Sequence, residues 1–354
     1  MNSLILPCAG RSMRFPGVRP KWMLTYPDGK LMLQKALEGL MLPSVDRVIV
    51  PIVSEHCKKY DADIVIKQAL GDDVEICLLE DFTSSQSETI ALTIKKMDVQ
   101  GGFVAKDSDG YVKVLIEEFD NFLVGADLKK HLELSNIAGK SFIVLNEQNI
   151  IIDIVEKSVC SNIVNIGVYG FRSAEEFIKV QEIVKRTWDQ GKGEIYLSHI
   201  ASYMIGQKNY FAYKEAVEYE DWGLVSDWHR ALNRRKAFFV DVDGVVFKNK
   251  GHYGRINWDS PDEPLERNVK TLKNLSEDGS QIIFCTARPK AYREKLENSL
   301  KSLGISWHCI VMECNHSQRV IINDYANTNP YPSCKAINIQ RDNDDLGQFI
   351  REGQ

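Results

Sequence analysis

Two aspartates two residues apart, Asp107 and Asp109, sit in V-A-K-D-S-D-G-Y directly after an apolar run that reads as a buried strand. Carboxylates so spaced at a strand end can present their oxygens to a hard divalent cation. D-x-D is also a common turn string, and Gly110 fits an ordinary turn equally well. Near the head of the chain, L-I-L-P-C-A-G-R-S-M-R-F-P-G-V-R-P-K carries a different chemistry. Small residues such as Ala9 and Gly10 at the end of a buried strand let backbone N–H groups approach a phosphate closely. Arg14 and Lys21 can add fixed positive charge to a transferring phosphoryl group. By composition alone the same stretch also suits an ordinary strand-to-helix loop with solvated basic residues, since it is not a full G-x-G-x-x-G. Farther on, three apolar runs end in D-V-D-G (Asp241, Asp243), in Thr286 and in Asp324, a constellation that random strand ends rarely give.

These groups need a scaffold that delivers strand ends to one place. Leu4–Leu6, Arg47–Ile52, Val74–Leu79 and Gly102–Ala105 read as strands, with helical patterns over His56–Leu70 and Thr89–Met97 between them. That alternation predicts a doubly wound sheet with ligands at the C-terminal strand ends. The basic bridge Leu232–Lys236 follows, and the architecture restarts. Ala237–Val240, Gln281–Cys285 and Val320–Asp324 read as new strands and Lys270–Leu275 as helix. The expected fold class is therefore α/β, two doubly wound Rossmann-like domains, over residues 1–232 and 236–354.

At 354 residues the chain is long enough for two cores. An apolar fraction of 44% and a charged fraction of 26% are those of an ordinary soluble protein. The net charge of −5 gives no basic surface for nucleic acid. No apolar run approaches ~20 residues, so no membrane span is expected. The chain runs straight into a strand, so no signal peptide is expected either. The eight cysteines form no C-x-x-C pair and read as reduced thiols of a cytoplasmic protein. His308, Cys309, Cys314 and His316 lie close together, but their spacing fits no standard structural zinc site.

The first stretch resembles the signature of sugar-nucleotide-forming nucleotidyltransferases, P-A-A-G-x-G-S-R-F followed by P-K. Pro7, Ala9, Gly10, Arg14, Phe15, Pro20 and Lys21 match it in order, whereas Ser12 stands where the second glycine is usual and Met13 where a small residue is usual. The resemblance implies a triphosphate cradle at this loop. It further implies base and ribose contacts from Gln86 and Ser87 in Glu80–Thr89, a stretch that otherwise reads as a plain helix N-cap. It makes Asp107, ahead of Asp109, a metal ligand, with Asp221 of E-D-W-G as the second. Glu156 would accept sugar hydroxyls, Lys157 would neutralise the acceptor phosphate, and Glu194 in G-E-I-Y-L would lie before a helix lining the sugar pocket. Without the resemblance, Glu156-Lys157 is a solvated pair at a strand end.

The D-x-D-G, Thr and Asp strand ends resemble the haloacid dehalogenase superfamily of phosphatases. That resemblance makes Asp241 a nucleophile, Asp243 the general acid and base, and Thr286 a partner of the phosphoryl oxygens. Asp324, Asp241 and Asp243 would hold magnesium. The family's usual lysine before the last acid is missing, and Arg319 is the natural substitute. Only about 40 residues separate Asp243 from Thr286, so a minimal cap is expected. Together the two resemblances imply a bifunctional, Mg2+-dependent enzyme of surface-polysaccharide precursor synthesis. It would join a nucleoside triphosphate, CTP first, to a sugar or polyol phosphate, and hydrolyse a phosphate monoester. Two rivals stay open: a phosphatase whose first domain only binds nucleotide sugar, and a non-catalytic assembly protein. A homo-oligomer is compatible with all three.

Overall fold

The apolar run at the head of the chain becomes strand β1 (Ser3–Ile5), with all three residues buried. In the computed structural model, which describes residues 1–131, 134, 136–188, 193–252, 254–324 and 334–352, the chain divides into Met1–Trp228 and His229–Gln354. The first unit continues through α1 (Met32–Glu38), β2 (Leu40–Met41), β3 (Arg47–Val53), α2 (Ser54–Tyr60), α3 (Ala62–Leu70), β4 (Glu75–Leu79) and α4 (Gln86–Lys96). Next come β5 (Phe103–Lys106), β6 (Gly110–Leu115), β7 (Phe122–Asp127), β8 (Ser141–Leu145), β9 (Ile151–Glu156) and β10 (Ile163–Phe171). Then follow α5 (Ala174–Thr187), α6 (Leu197–Gly206), β11 (Ala212–Glu215), β12 (Glu218–Asp221) and α7 (Val225–Asn233), inside which the division falls.

The main sheet runs β11-β7-β10-β5-β1-β3-β4, with the β8–β9 hairpin attached to β10. Its β5-β1-β3-β4 half is parallel, as the sequence predicts, because α1, α2, α3 and α4 supply the crossovers. The other half is mixed, with β11 parallel to β7. Strand β10 is antiparallel to both β5 and β7. The β8–β9 hairpin reverses the chain just before β10, so β10 enters the sheet opposite to β5 and β7. A second sheet, β12-β6-β2, sets Asp221 opposite Gly110. Alternation along β1 sends Ile5 to one core and Leu4 to the other, so the sheet is packed on both faces. Phe103, Phe171 and Phe177 stack together on the Ile5 side.

Two helix boundaries differ from the sequence reading for local reasons. The single helix expected over His56–Leu70 is broken at Asp61, which takes a left-handed φ of 49° and ends α2. The helix expected from Thr89 starts at Gln86, because the Ser85 side chain accepts from Glu88 N at 3.1 Å. Gln86 and Ser87 therefore lie on a helical first turn and not in a free loop.

The second unit holds β13 (Ala237–Asp241), α8 (Arg255–Asp259), α9 (Glu266–Glu277), β14 (Gln281–Cys285), α10 (Arg293–Ser302), β15 (Cys309–Val311) and α11 (Leu346–Glu352). Its sheet is parallel in the order β13-β14-β15, over a core that includes Val242, Leu272, Phe284, Leu296 and Leu300. The strand expected at Val320–Asp324 is not formed. Those residues are exposed, Ile322 at 92%, and lie outside any strand. An apolar run has β-propensity, yet it makes a strand only when a ladder partner takes up its backbone groups. Among the described residues no helix is long and apolar enough to cross a membrane.

Candidate active site

The loop after β1 stays tied to β3, with Leu6 N donating to Ile49 O and Cys8 N to Pro51 O, each at 3.0 Å. Buried Trp22 donates its Nε1 to Cys8 O at 3.1 Å and folds the segment carrying Lys21 back against that loop. Ala9 has its side chain in the core, so only its backbone can meet a ligand. Gly10 is exposed, and a Cβ there would meet nothing within 4 Å. Packing within the protein therefore gives no reason for a glycine at this position, and the space above it is open. Ser12 has a φ of 50°, the left-handed region where glycine is at ease and a serine costs about 1 kcal/mol. Its hydroxyl accepts from Lys21 N at 3.2 Å, which ties the loop to that lysine. Burial pushes the Cys8 thiol up to about 12, so it is inert as a nucleophile.

The D-S-D-G turn lies beside this loop. Lys21 is ion-paired with Asp109, and Lys140 with Asp221. Asp109 O accepts from Trp222 N at 3.0 Å, which brings the β12 end to the turn. Around the spot that a Cβ on Gly223 would occupy, Asp221 Oδ1, Arg14 Nη1 and Asp109 Oδ2 all lie within 4 Å. Lys106 is fully buried and donates Nζ to Asp107 O at 2.6 Å and to Gly110 O at 2.8 Å, pinning both ends of the turn. Burial pulls its ammonium down to about 8, against the attraction of Asp107 and Asp109. Burial also opposes the Asp109 carboxylate, but Lys21, with Lys140 and Lys106, outweighs it and holds the carboxyl well below its ordinary value. Asp107 goes the other way: burial and then the charge of Asp109 raise it.

Magnesium, implied by the resemblance, matches the hard oxygen donors here. Among the described residues no three His, Cys, Asp or Glu side chains are gathered to hold a metal ion. A magnesium ion, however, is commonly held by one or two carboxylates and completed by water and substrate phosphates. Asp109 and Asp221, whose oxygens converge beside Gly223, fit that role. Asp107, first choice by sequence, is placed less well. Its Oδ1 takes a hydrogen bond from Gln86, and its Oδ2 would lie 2.1 Å from a Cβ on Gly167. Gly167, at φ +75°, leaves room for the carboxylate where no other residue can. Gly167→Ala is therefore expected to displace Asp107, lower stability by about 1–2 kcal/mol and with it the melting temperature, and cut turnover. Thermal melts with rate measurements check this; an alanine variant of unchanged stability contradicts it.

On the far side of the turn, Glu156 accepts hydrogen bonds from Ser141 and Ser198. Lys157, at φ 52°, is exposed and lies 4.3 Å over the Tyr196 ring, donating to its hydroxyl. Ser87 is fully buried and donates to Ile195 O at 2.7 Å, so its hydroxyl joins α4 to the segment before α6 and is not offered to a base. Glu194 accepts weakly from Gln86 N at 3.4 Å. Sequence reasoning missed Lys106 and Lys140. A lysine closing the apolar run F-V-A-K was a readable signal for the first; nothing in the sequence marked the second.

In the second unit, Asp241 ends β13, partly exposed, and pairs with Arg319 at 3.2 Å. Burial raises its carboxyl, against the pull of Arg319. Asp243 is arranged differently from the sequence reading. Arg288 Nη2 reaches its Oδ1 at 2.7 Å and Arg288 Nε its Oδ2 at 3.1 Å, so both oxygens are engaged. Thr286 is wholly buried, and its Oγ1 accepts from Arg288 N at 3.1 Å. Asp324 lies exposed in the stretch that is not a strand, and Asp241, Asp243 and Asp324 are not gathered as a metal cluster.

No protein-family model matches the chain, and no curated protein does. Solved structures do. A nucleoside-diphosphate-sugar pyrophosphorylase from Vibrio cholerae RC9 is 17% identical, with a TM-score of 0.54, over 65% of this chain and 99% of its own. A Bacillus anthracis protein assigned as a glucose-1-phosphate thymidylyltransferase, solved with sucrose, is 15% identical with a TM-score of 0.50, over 65% and 94%. The chain thus shares the mixed α/β fold of these proteins.

Proposed function

We propose that the first unit transfers a nucleotidyl group from a nucleoside triphosphate to a sugar or polyol phosphate and releases pyrophosphate. The observation that carries this reading is the convergence of Arg14, Asp109 and Asp221 beside Gly223, with Lys21 paired to Asp109. Gly10, with open space above it, would take the triphosphate on backbone N–H groups, and Arg14 and Lys21 would face its charge. An acceptor phosphate oxygen would attack the α-phosphorus in line, forming the new P–O bond as the bond to the β-phosphate oxygen breaks. Asp109 and Asp221 would hold magnesium, which neutralises charge on the phosphates. The family likeness alone puts CTP first and leaves uridine and guanosine nucleotides open. A screen of the four ribonucleoside triphosphates against a panel of sugar and polyol phosphates, read by pyrophosphate release, tests the proposal. Release with one pair supports it, and silence across the panel overturns it.

For the second unit, the Asp241–Arg319 pair at an exposed strand end favours phosphate-ester hydrolysis through an aspartyl-phosphate. Asp241 would attack phosphorus, and Arg319 would turn to the phosphate. The two activities together would suit surface-polysaccharide precursor synthesis. Asp241→Asn keeps the shape and removes the attacking charge, so phosphate release from a generic ester is expected to stop while the fold persists. Full hydrolysis by that variant defeats this reading.

A further inference from the structure

Lys140 lies between the two halves of the first unit's site. Its Nζ is ion-paired with Asp221, one of the acids beside Gly223. Its carbonyl accepts from Lys157 N at 3.0 Å, where β8 and β9 bring Ser141 opposite Glu156. One residue thus touches the acid at the nucleotide side with its ammonium and the Glu156-Lys157 segment with its backbone. The pair is mostly enclosed, with side-chain exposures of 19% for Lys140 and 9% for Asp221. Enclosed pairs seldom stabilise a fold enough to explain themselves. Lys157, the lysine that sequence assigns to the acceptor phosphate, is instead laid over Tyr196.

We propose that Lys140 is a catalytic residue of the nucleotidyl transfer, binding the attacking phosphate of the acceptor after leaving Asp221. This rests on the reading of the first unit as a nucleotidyltransferase. With a phosphate oxygen as its new partner, Lys140 orients the nucleophile toward the α-phosphorus, and Asp221 is released for a divalent cation. No proton changes hands: a P–O bond forms at the α-phosphorus, the bond to the β-phosphate oxygen breaks, and pyrophosphate leaves with the electron pair. Tyr219, whose hydroxyl lies 3.3 Å from Lys140 Nζ, steadies the ammonium during the exchange.

The test uses the full chain as wild type, Lys140→Ala and Lys140→Arg, with the substrate pair selected by the pyrophosphate screen. Lys140→Ala is expected to raise the acceptor KM about 10- to 100-fold, as loss of a charged hydrogen bond does. Its KM for the nucleoside triphosphate should stay near wild type, and Lys140→Arg should recover most of the acceptor affinity. Manganese alone, followed by electron paramagnetic resonance, should bind Lys140→Ala more tightly than wild type, since Asp221 has lost its internal cation. A lysine that merely braces the fold would raise both KM values together or neither, and either result overturns the proposal. Unchanged manganese affinity overturns the hand-over from Asp221. A wild type that releases no pyrophosphate with any pair removes the underlying reading and this proposal with it; an active wild type with an indifferent Lys140→Ala removes this proposal alone.

Discussion

Lys21→Ala is expected to slow pyrophosphate release about 10²- to 10³-fold, the loss seen when a fixed donor is removed from developing charge in a transition state. The lysine is held in place from two sides. Its backbone N–H donates to Ser12 Oγ at 3.2 Å, and its ammonium is paired with Asp109. Little reorganisation is then needed when a triphosphate enters the loop, because the cation already stands at the acid. Stability should fall little. The pair is partly open, at 24% and 16% side-chain exposure, and such pairs contribute about 0–1 kcal/mol. Lys21→Arg keeps the charge but spreads it over a planar fork, so partial recovery is expected. Hydrolysis by the second unit should be untouched, since each unit has its own core. Steady-state pyrophosphate release decides the matter: a variant with a wild-type rate would mean that the loop after β1 does not hold the triphosphate.

Sequence carried the parallel half of the first sheet because buried strands and crossover helices there announce themselves in apolar runs and helical periodicity. The antiparallel β10 was not legible, since direction depends on where the chain turns, and the β8–β9 hairpin that reverses the chain before β10 was not read from the sequence. Asp109, Asp221 and Lys21 were all singled out by motif. Lys140 was not, and neither pairing was legible, because Lys21 with Asp109 and Lys140 with Asp221 meet across long sequence separations. Ser12 is instructive. The sequence flags it only as a departure from glycine; its φ of 50° gives the reason a glycine is at home there, and its bond to Lys21 N is what the hydroxyl gains. In the second unit Asp241 and Arg319 do meet, as the substitution for the missing lysine suggested. Thr286 and Asp243 both hydrogen-bond Arg288, a contact the sequence did not mark although Arg288 stands in T-A-R-P.

Arg288→Ala is expected to destabilise the second unit by about 3–5 kcal/mol, the cost of leaving buried charge without its partner. The guanidinium is 1% exposed. It bonds Asp243 and also Asp262, the latter at 2.8 Å, and it lies 5.7 Å from the Phe247 ring centroid. The two acids are themselves held by neighbours, Asp243 by Asn257 at 3.1 Å and Asp262 by Ser299 at 2.6 Å, so neither can swing out to water cheaply. Alanine would thus strand two carboxylates and open a cavity at once. A domain is typically stable by about 5–15 kcal/mol, so a loss of this size takes much of the margin. Lysine should not rescue, because a single ammonium lacks the planar fork that reaches both acids. Among the described residues the buried Arg288 Nη1 has no hydrogen-bond partner, so part of the arginine's own desolvation is uncompensated, and a matched neutral replacement of all three charges should cost far less than the single change. Calorimetry on the full chain is expected to show the transition of His229–Gln354 shifted strongly downward with that of Met1–Trp228 in place. An Arg288→Ala protein that melts like wild type would mean that the Asp243–Arg288–Asp262 cluster does not hold the second unit together.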